Sequence, residues 1–274
     1  VIDAGYNRRM ELDPRRTAIE RNRQAWNDLA RQGVPLARPA TAADFADPLR
    51  AVDPDGWLRR GLGGSVVGKR VLCLAAGGGR QGPLHVAAGM EVTVVDVSEA
   101  MLEKDRAVAE ARGCRLRLCQ TSMDDLSELR DDEFDAVVQP VSSCYASDVA
   151  AVYREVARVL RPGGVYVSQH KTPTSLQAAS RLSGNGALEL RTPYYHEGPL
   201  PPSDPCRTRE PGTLEFLHRW EQLIGGLCRA GFVVEDLGEP SHAEEPGDHG
   251  QRSRYVAPYV RILARRVLAA DVRR

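Results

Sequence analysis

Five apolar runs, near 70–75, 91–97, 115–120, 134–141 and 163–169, alternate with stretches of helical period, and no other feature of the 274 residues limits the fold so strongly. Parallel strands joined through helices wind right-handed, so the pattern predicts an α/β sheet covered by helices on both faces. The clearest helix precedes the fifth run. There Val149, Val152, Tyr153, Val156, Val159 and Leu160 repeat at helical spacing, and Pro162-Gly163-Gly164 stops the repeat. A hydrophobic fraction of 42% suffices for one large core.

Before the first run, Asp13-Pro14 is a helix start, with an acceptor at the N-cap and a ring that needs no amide partner. The helix is expected to reach about Gln32, with Ile19, Asn22, Trp26 and Leu29 on one face. Residues 33–68 are rich in Pro, Asp and Gly, and 1–68 is expected to be a helical lead-in that caps a main domain over 69–274. After the fifth run, residues from about 172 to 212 carry scattered prolines and little period. A connector of that length reads as a lid-like insertion. A helix over Thr213–Arg229, a strand in "GFVVEDLGE" and a last strand in "YVAPYVRILARR" complete the reading.

The 37 basic and 37 acidic residues cancel, so no global field favours nucleic acid or an anionic membrane. Lys69, Lys104 and Lys171 are the only lysines. The six cysteines form no C-x-x-C pair and read as small, reduced core residues. No run approaches the roughly 18 apolar residues of a membrane span, and the start shows no apolar signal core, so a cytoplasmic location is expected. Arg8, Arg9, Arg15 and Arg16 alternate with Asp3, Glu11 and Asp13 and read as a solvated helix face. Nothing in the sequence fixes an oligomeric state.

The chemistry starts at "LAAGGGRQG", residues 74–82, where Gly77, Gly79 and Gly82 satisfy G-x-G-x-x-G directly behind the first run. A strand that turns through glycines into a helix presents backbone N–H groups and a positive dipole end, which suits pyrophosphate or an amino-acid carboxylate equally. The second run ends in Asp96, placed to accept from ribose hydroxyls. To this point an NAD(P)-dependent oxidoreductase and an S-adenosylmethionine enzyme both fit.

Four stretches, "VLCLAAGGG", "VTVVDVSEAML", "QTSMDDLSELRDDEFDAVVQP" and "EVARVLRPGGVYVSQH", resemble in order and spacing the class I S-adenosylmethionine-dependent methyltransferases of the small-molecule branch. The resemblance covers 69–171 and, more loosely, 213–266. It implies a Rossmann-like seven-stranded, mostly parallel sheet with the last strand antiparallel, behind an N-terminal helical cap. It also implies S-adenosylmethionine as cofactor and S-adenosylhomocysteine as product. By position Ala75, Gly77 and Gly79 would approach the methionine part, with Arg80 or the loop amides against its carboxylate and Gln81 alongside. Asp96 would take the ribose, Val97, Ser98 and Met101 the adenine edge, Ser122 and Met123 the other adenine face, and Gln139 the methyl end. The chain departs from the family at Ala75, where glycine is usual, and at Cys73 and Ser122, where many relatives carry an acid. A cofactor-binding protein without transfer activity is therefore the non-enzyme alternative.

A sulfonium donor needs alignment and a dry site more than a special nucleophile, and a base helps where the acceptor bears a proton. His170, at the end of the fifth strand, and His218, beside Glu215 and Gln222 on the expected helix, are the candidate bases. Trp26, Tyr145, Tyr194, His196 and Gln222 are candidates for the wall of a small-molecule acceptor pocket. His242 and His249 read as surface-loop residues. Metal binding is not expected, because Asp124 and Asp125 diverge as sequence neighbours and no further ligand completes a set. "QPVSS" lacks the residues of the nucleic-acid amino-methyltransferase signature, so a nucleic-acid acceptor is not expected either.

Overall fold

The computed structural model describes residues 13–203 and 206–267; Arg8, Arg9, Asp3 and Glu11 of the basic start lie outside them. In chain order the helices are α1 (Pro14–Gln32), α2 (Ala42–Ala46), α3 (Pro48–Val52), α4 (Trp57–Gly61), α5 (Gln81–Ala87), α6 (Glu99–Arg112), α7 (Val149–Val159), α8 (Pro173–Gln177), α9 (Gly226–Arg229) and α10 (Gly247–Ser253). The strands are β1 (Arg70–Leu74), β2 (Glu91–Asp96), β3 (Arg117–Gln120), β4 (Phe134–Gln139), β5 (Leu160–Lys171), β6 (Phe232–Gly238) and β7 (Tyr259–Arg266). They form one seven-stranded sheet in the order β3-β2-β1-β4-β5-β7-β6. β7 alone runs antiparallel, paired with β5 and β6. This is the Rossmann-like arrangement expected from the sequence.

Strand side chains alternate between faces, and the two cores follow that period. Leu72 and Leu74 of β1 and Tyr166 of β5 pack with Val152, Tyr153 and Val156 of α7 on one face. Val71 and Cys73 of β1 and Val165 and Val167 of β5 pack with Trp57 and Leu58 of α4 on the other. Each fully buried Val or Leu contributes roughly 1.5–3 kcal/mol. α1 begins as expected, with Pro14 in the first turn and the Asp13 carboxylate accepting from Arg15 N–H.

The expected helix over Thr213–Arg229 is only half present. Its second half is helical, a wide turn over Glu221–Gly225 leading into α9, but 213–219 is not. Tertiary partners claim that backbone. Leu214 N–H donates to Asn22 Oδ1 at 2.7 Å, Asn22 Nδ2 donates to Leu214 O at 3.0 Å, Phe216 N–H donates to Cys144 O at 2.7 Å, and Leu200 N–H donates to Glu215 O at 2.7 Å. With these groups already satisfied, helix formation in the segment gains nothing. The insertion over 172–212 contains α8 and is tied to α10 by buried Arg252, which donates to Ala179 O at 2.8 Å and Ser175 Oγ at 3.0 Å.

Candidate active site

The strand order reverses at β1, with β2 and β3 on one side and β4 on the other, and open α/β sheets bind ligands at the carboxyl ends of such strands. A cavity of about 480 Å3 opens there, bounded by the β1–α5 loop, the ends of β2 and β4, and α1. That volume lies within the roughly 300–1,000 Å3 of small-molecule sites.

Two buried carboxylates shape the loop at one end. Gly77 comes so close to β2 and α6 that an added Cβ would lie 2.8 Å from Met101 Cβ and 3.0 Å from Asp96 Oδ2. Gly77 N–H donates to Asp96 Oδ2 and Ser98 N–H to Asp96 Oδ1, each at 2.9 Å. Burial lifts Asp96 to about 6, against the opposing pull of these amides. Gly78 N–H donates to Asp105 Oδ2 at 2.8 Å, and burial lifts that carboxyl to about 7, with the Asp96 charge adding to the effect. Ala75 takes the left-handed conformation at φ 48°. For a residue with a Cβ that is roughly 1–2 kcal/mol unfavourable.

Asp105 has a consequence for stability. Its native pKa lies above the unfolded value, so the native state holds the proton longer and stability falls as pH rises from about 4 to about 7. Asp105→Asn keeps an acceptor oxygen and cannot ionise. Between about pH 5 and pH 8 the variant is expected to gain on the order of 2 kcal/mol on the wild type, measured by urea unfolding. A constant offset between the two proteins at both pH values would contradict this.

At the other end stands an ionic cluster. Tyr145 follows β4, and Trp26 of α1 meets its ring edge-on at 5.6 Å. Tyr145 O–H donates to Glu210 Oε2 at 2.5 Å, and Lys171 Nζ donates to the same oxygen at 2.6 Å. Lys171 Nζ is also 3.3 Å from Glu215 Oε2, which Arg209 Nε approaches to 3.2 Å. Two cations thus offset two carboxylates, as burial of charge requires. Burial works against the Lys171 ammonium, but neighbouring Cys144, Glu210 and Glu215 outweigh it and its pKa is raised. Burial raises Glu215, against Lys171 and Arg209, and holds Tyr145 as a neutral phenol. Glu210, Gln169, Arg207 and Tyr259 all reach the cavity wall.

Of the residues singled out in the sequence, Ala75, Gly77, Arg80, Gln81, Asp96, Val97, Met101, Ser122, Met123, Trp26 and Tyr145 come together on this cavity. Others do not. Gly79 faces the backbone of α6, where an added Cβ would meet Lys104 O at 2.9 Å. Ser98 is buried as the cap of α6, its Oγ donating to Asn27 Oδ1 at 2.7 Å. Gln139 lies behind the wall, its Nε2 donating to Ser142 Oγ at 2.8 Å, and Ser142 lines the cavity in its place. Gln222 accepts from Arg219 N–H at 2.9 Å, the Tyr194 hydroxyl oxygen accepts from Trp220 N–H at 3.4 Å, and half-buried His196 bonds Pro199 O at 3.0 Å. None of these three lines the cavity. The loop amides of Gly77 and Gly78 are engaged by Asp96 and Asp105, and Arg80 pairs with Asp44 at 2.8 Å.

Neither histidine chosen as a base lines the cavity. His170 is fully buried, its two ring nitrogens engaged with Ser143 Oγ at 2.7 Å and Ser168 Oγ at 2.8 Å, and burial pushes it down to about 3. Strand alternation sends it, like Tyr166, to the face packed on Tyr153, while neighbouring Gln169 reaches the cavity. His218 donates through Nε2 to Ser143 O at 3.1 Å and Ala146 O at 3.0 Å, and burial lowers its pKa. It pins the turn beneath Tyr145. Sequence reasoning passed over Asp105, Glu210 and Arg38, and Arg15, read as part of a solvated face, instead meets Asp124 at 2.6 Å on the cavity wall. Asp105 carried a signal, since it falls in phase with Met101, Leu102 and Ala109 on the buried face of α6.

A seven-stranded sheet ordered in this way, with a glycine bend braced by the acid that ends β2, defines an adenosyl-binding methyltransferase fold, and comparison with known proteins agrees. A family described as "Methyltransferase domain" matches residues 72–168. The chain is 39% identical over 177 residues to "Uncharacterized methyltransferase YbaJ" of Bacillus subtilis, an alignment covering 64% of this chain and 69% of that protein. It is 30% identical over 168 residues to a "Ubiquinone biosynthesis O-methyltransferase" of Aeromonas salmonicida, covering 60% and 70%. An S-adenosylmethionine dependent methyltransferase from Mesorhizobium loti superposes with a TM-score of 0.61 at 25% identity, over 79% of this chain and 98% of that one. The chain belongs to the class I S-adenosylmethionine-dependent methyltransferases. It is an enzyme whose cofactor is S-adenosylmethionine, which sets aside both the nicotinamide reading and the non-catalytic one. Among the described residues no helix is long and apolar enough to cross a membrane.

Proposed function

We propose that this enzyme methylates an oxygen or nitrogen of a small, partly apolar molecule, with Glu210 as the group that takes the acceptor's proton. The single observation that carries the reading is the charge-balanced cluster of Glu210, Lys171, Glu215 and Arg209 at the end of the cavity remote from the glycine bend. Both hydrogen bonds to Glu210 fall on Oε2, from Tyr145 and Lys171, which leaves Oε1 for an acceptor O–H or N–H. The edge-on pair of Trp26 and Tyr145 offers that acceptor an apolar wall.

At the bend, the Asp96 carboxylate, brought against the loop by the close approach of Gly77, fits an adenosine, with Asp96 accepting from the ribose and Val97, Met101, Ser122 and Met123 around the adenine. Arg38 lies on the cavity and forms no ion pair among the described residues, so it suits the amino-acid carboxylate better than Arg80, whose charge Asp44 already offsets. S-adenosylmethionine supplies an electrophilic methyl group on a good leaving group, so the reaction is an in-line displacement. The chain aligns the acceptor, excludes water and holds the released proton on Glu210. The described part of the 1–68 lead-in serves as the cap of the cofactor end, and the insertion from about 172 to 212 adds Arg207 and Glu210 to the acceptor wall.

Purified protein with labelled S-adenosylmethionine, offered phenols, hydroxy acids and amines beside tRNA, DNA and unfolded protein, tests the reading. Label is expected on a small phenol, hydroxyl or amine. Label on a macromolecule alone would overturn it.

A further inference from the structure

The loop before α10 and α10 itself gather three metal-ligating side chains outside the site described above. His242, Glu245 and His249 each place one ligand atom within 4.8 Å of the others. His242 Nδ1 lies 2.7 Å from Glu245 Oε1, and His249 Nε2 lies 4.0 Å from Glu245 Oε2. The two imidazoles meet edge-on with centroids 5.4 Å apart, and Tyr259 packs against both. The sequence reading took both histidines for surface-loop residues, but the His249 side chain is only 8% exposed. The Nε2 atoms of both rings are buried without a hydrogen-bond partner. A buried polar atom left unpaired is unfavourable, and His249 Nε2, set 4.0 Å from Glu245 Oε2, is the one that an ion shared with Glu245 would satisfy. The backbone around them is constrained too, since a Cβ on Gly250 would lie 1.7 Å from Glu245 O.

We propose that His242, Glu245 and His249 bind a divalent transition-metal ion of the zinc type. Two imidazoles and one carboxylate are a zinc donor set, with a fourth position left to water or another ligand. Ligand bonds of about 2.0–2.2 Å bring tetrahedral donors to roughly 3.3–3.6 Å of one another, so the widest gap closes by about an ångström through side-chain rotation. Hard cations such as Mg2+ prefer all-oxygen shells and fit less well. Arg207 pairs with Glu245 in the structure and opposes the ion electrostatically, which places the expected affinity below that of a closed structural site. Arg207 and Tyr259 both line the catalytic cavity, so the ion sits behind its acceptor wall.

The test uses the full chain, stripped with a chelator and titrated with Co2+ and then Zn2+. Expected are visible d–d absorption bands that saturate at one equivalent of Co2+ and disappear on adding Zn2+. His249→Ala and His242→Ala should each weaken Zn2+ binding at least about tenfold and remove the bands. His196→Ala, which alters a half-buried histidine elsewhere, should leave them unchanged. The proposal is overturned by wild-type protein that binds S-adenosylhomocysteine yet shows neither bands nor heat with either metal. It is equally overturned if the bands persist in both histidine variants, which would locate the ion among other groups such as the free cysteines. Neither result bears on Glu210 or on the acceptor.

Discussion

Glu210→Gln is expected to lower turnover by about 10²–10⁴-fold while the affinity for S-adenosylhomocysteine stays as in the wild type, because a positioned base contributes that much to proton removal. The substitution keeps the side chain's shape and an acceptor oxygen for Tyr145 O–H and Lys171 Nζ, which now donate to Oε2 at 2.5 Å and 2.6 Å. Only the negative charge goes. Lys171 keeps Glu215 at 3.3 Å as its counter-ion, so the fold is expected to survive with some loss of stability. Initial rates with the accepted substrate, calorimetry with S-adenosylhomocysteine and a thermal melt separate the effects. Full turnover in a folded variant would exclude Glu210 as the base. Tyr145→Phe serves as the companion, retaining the carboxylate but removing one of its donors, and a smaller loss is expected.

Asp96→Ala is expected to raise the Kd for S-adenosylhomocysteine roughly 5- to 150-fold, the effect of losing buried hydrogen bonds worth about 1–3 kcal/mol. On the proposed reading the carboxylate acts twice, as the acceptor for the ribose and as the brace that takes Gly77 N–H at 2.9 Å. A pH signature accompanies it. Burial lifts Asp96 to about 6, and the ribose hydroxyls donate best to the ionised group, so wild-type affinity should weaken as pH falls through that value. In Asp96→Ala the dependence should disappear. Calorimetry across about pH 5 to 8 reads both effects. An unchanged Kd, or an undiminished pH dependence in the variant, would remove Asp96 from the adenosine site.

Much of the fold was legible in the chain because strand and helix periods announce themselves locally. β1 through β5 lie where their apolar runs fall, and α7 carries its predicted stripe of Val149, Val152, Tyr153, Val156 and Val159. The segment 213–219 was misread for the opposite reason, since its backbone is held by Asn22, Cys144 and Leu200, residues remote in sequence. At the site the meeting of Ala75, Gly77, Asp96 and Met101 on one cavity was readable, because the glycine bend and Asp96 belong to consecutive strand ends. His170 was chosen for standing at a strand end, but strand alternation decides which face a side chain serves, and Gln169 had the better phase. Glu210 gave no signal at all. It lies in a proline-rich stretch without period and is held at the cavity wall by contacts with Tyr145 and Lys171.

A crystal structure with S-adenosylhomocysteine tests the central claim most directly, that one cavity holds adenosine at the glycine bend and the acceptor at the Glu210 cluster. The account predicts ribose hydroxyls on Asp96, adenine beside Met101, and the sulfur turned toward Tyr145 and Glu210. Adenosine lodged against Glu210, or a sulfur facing away from that cluster, would contradict it.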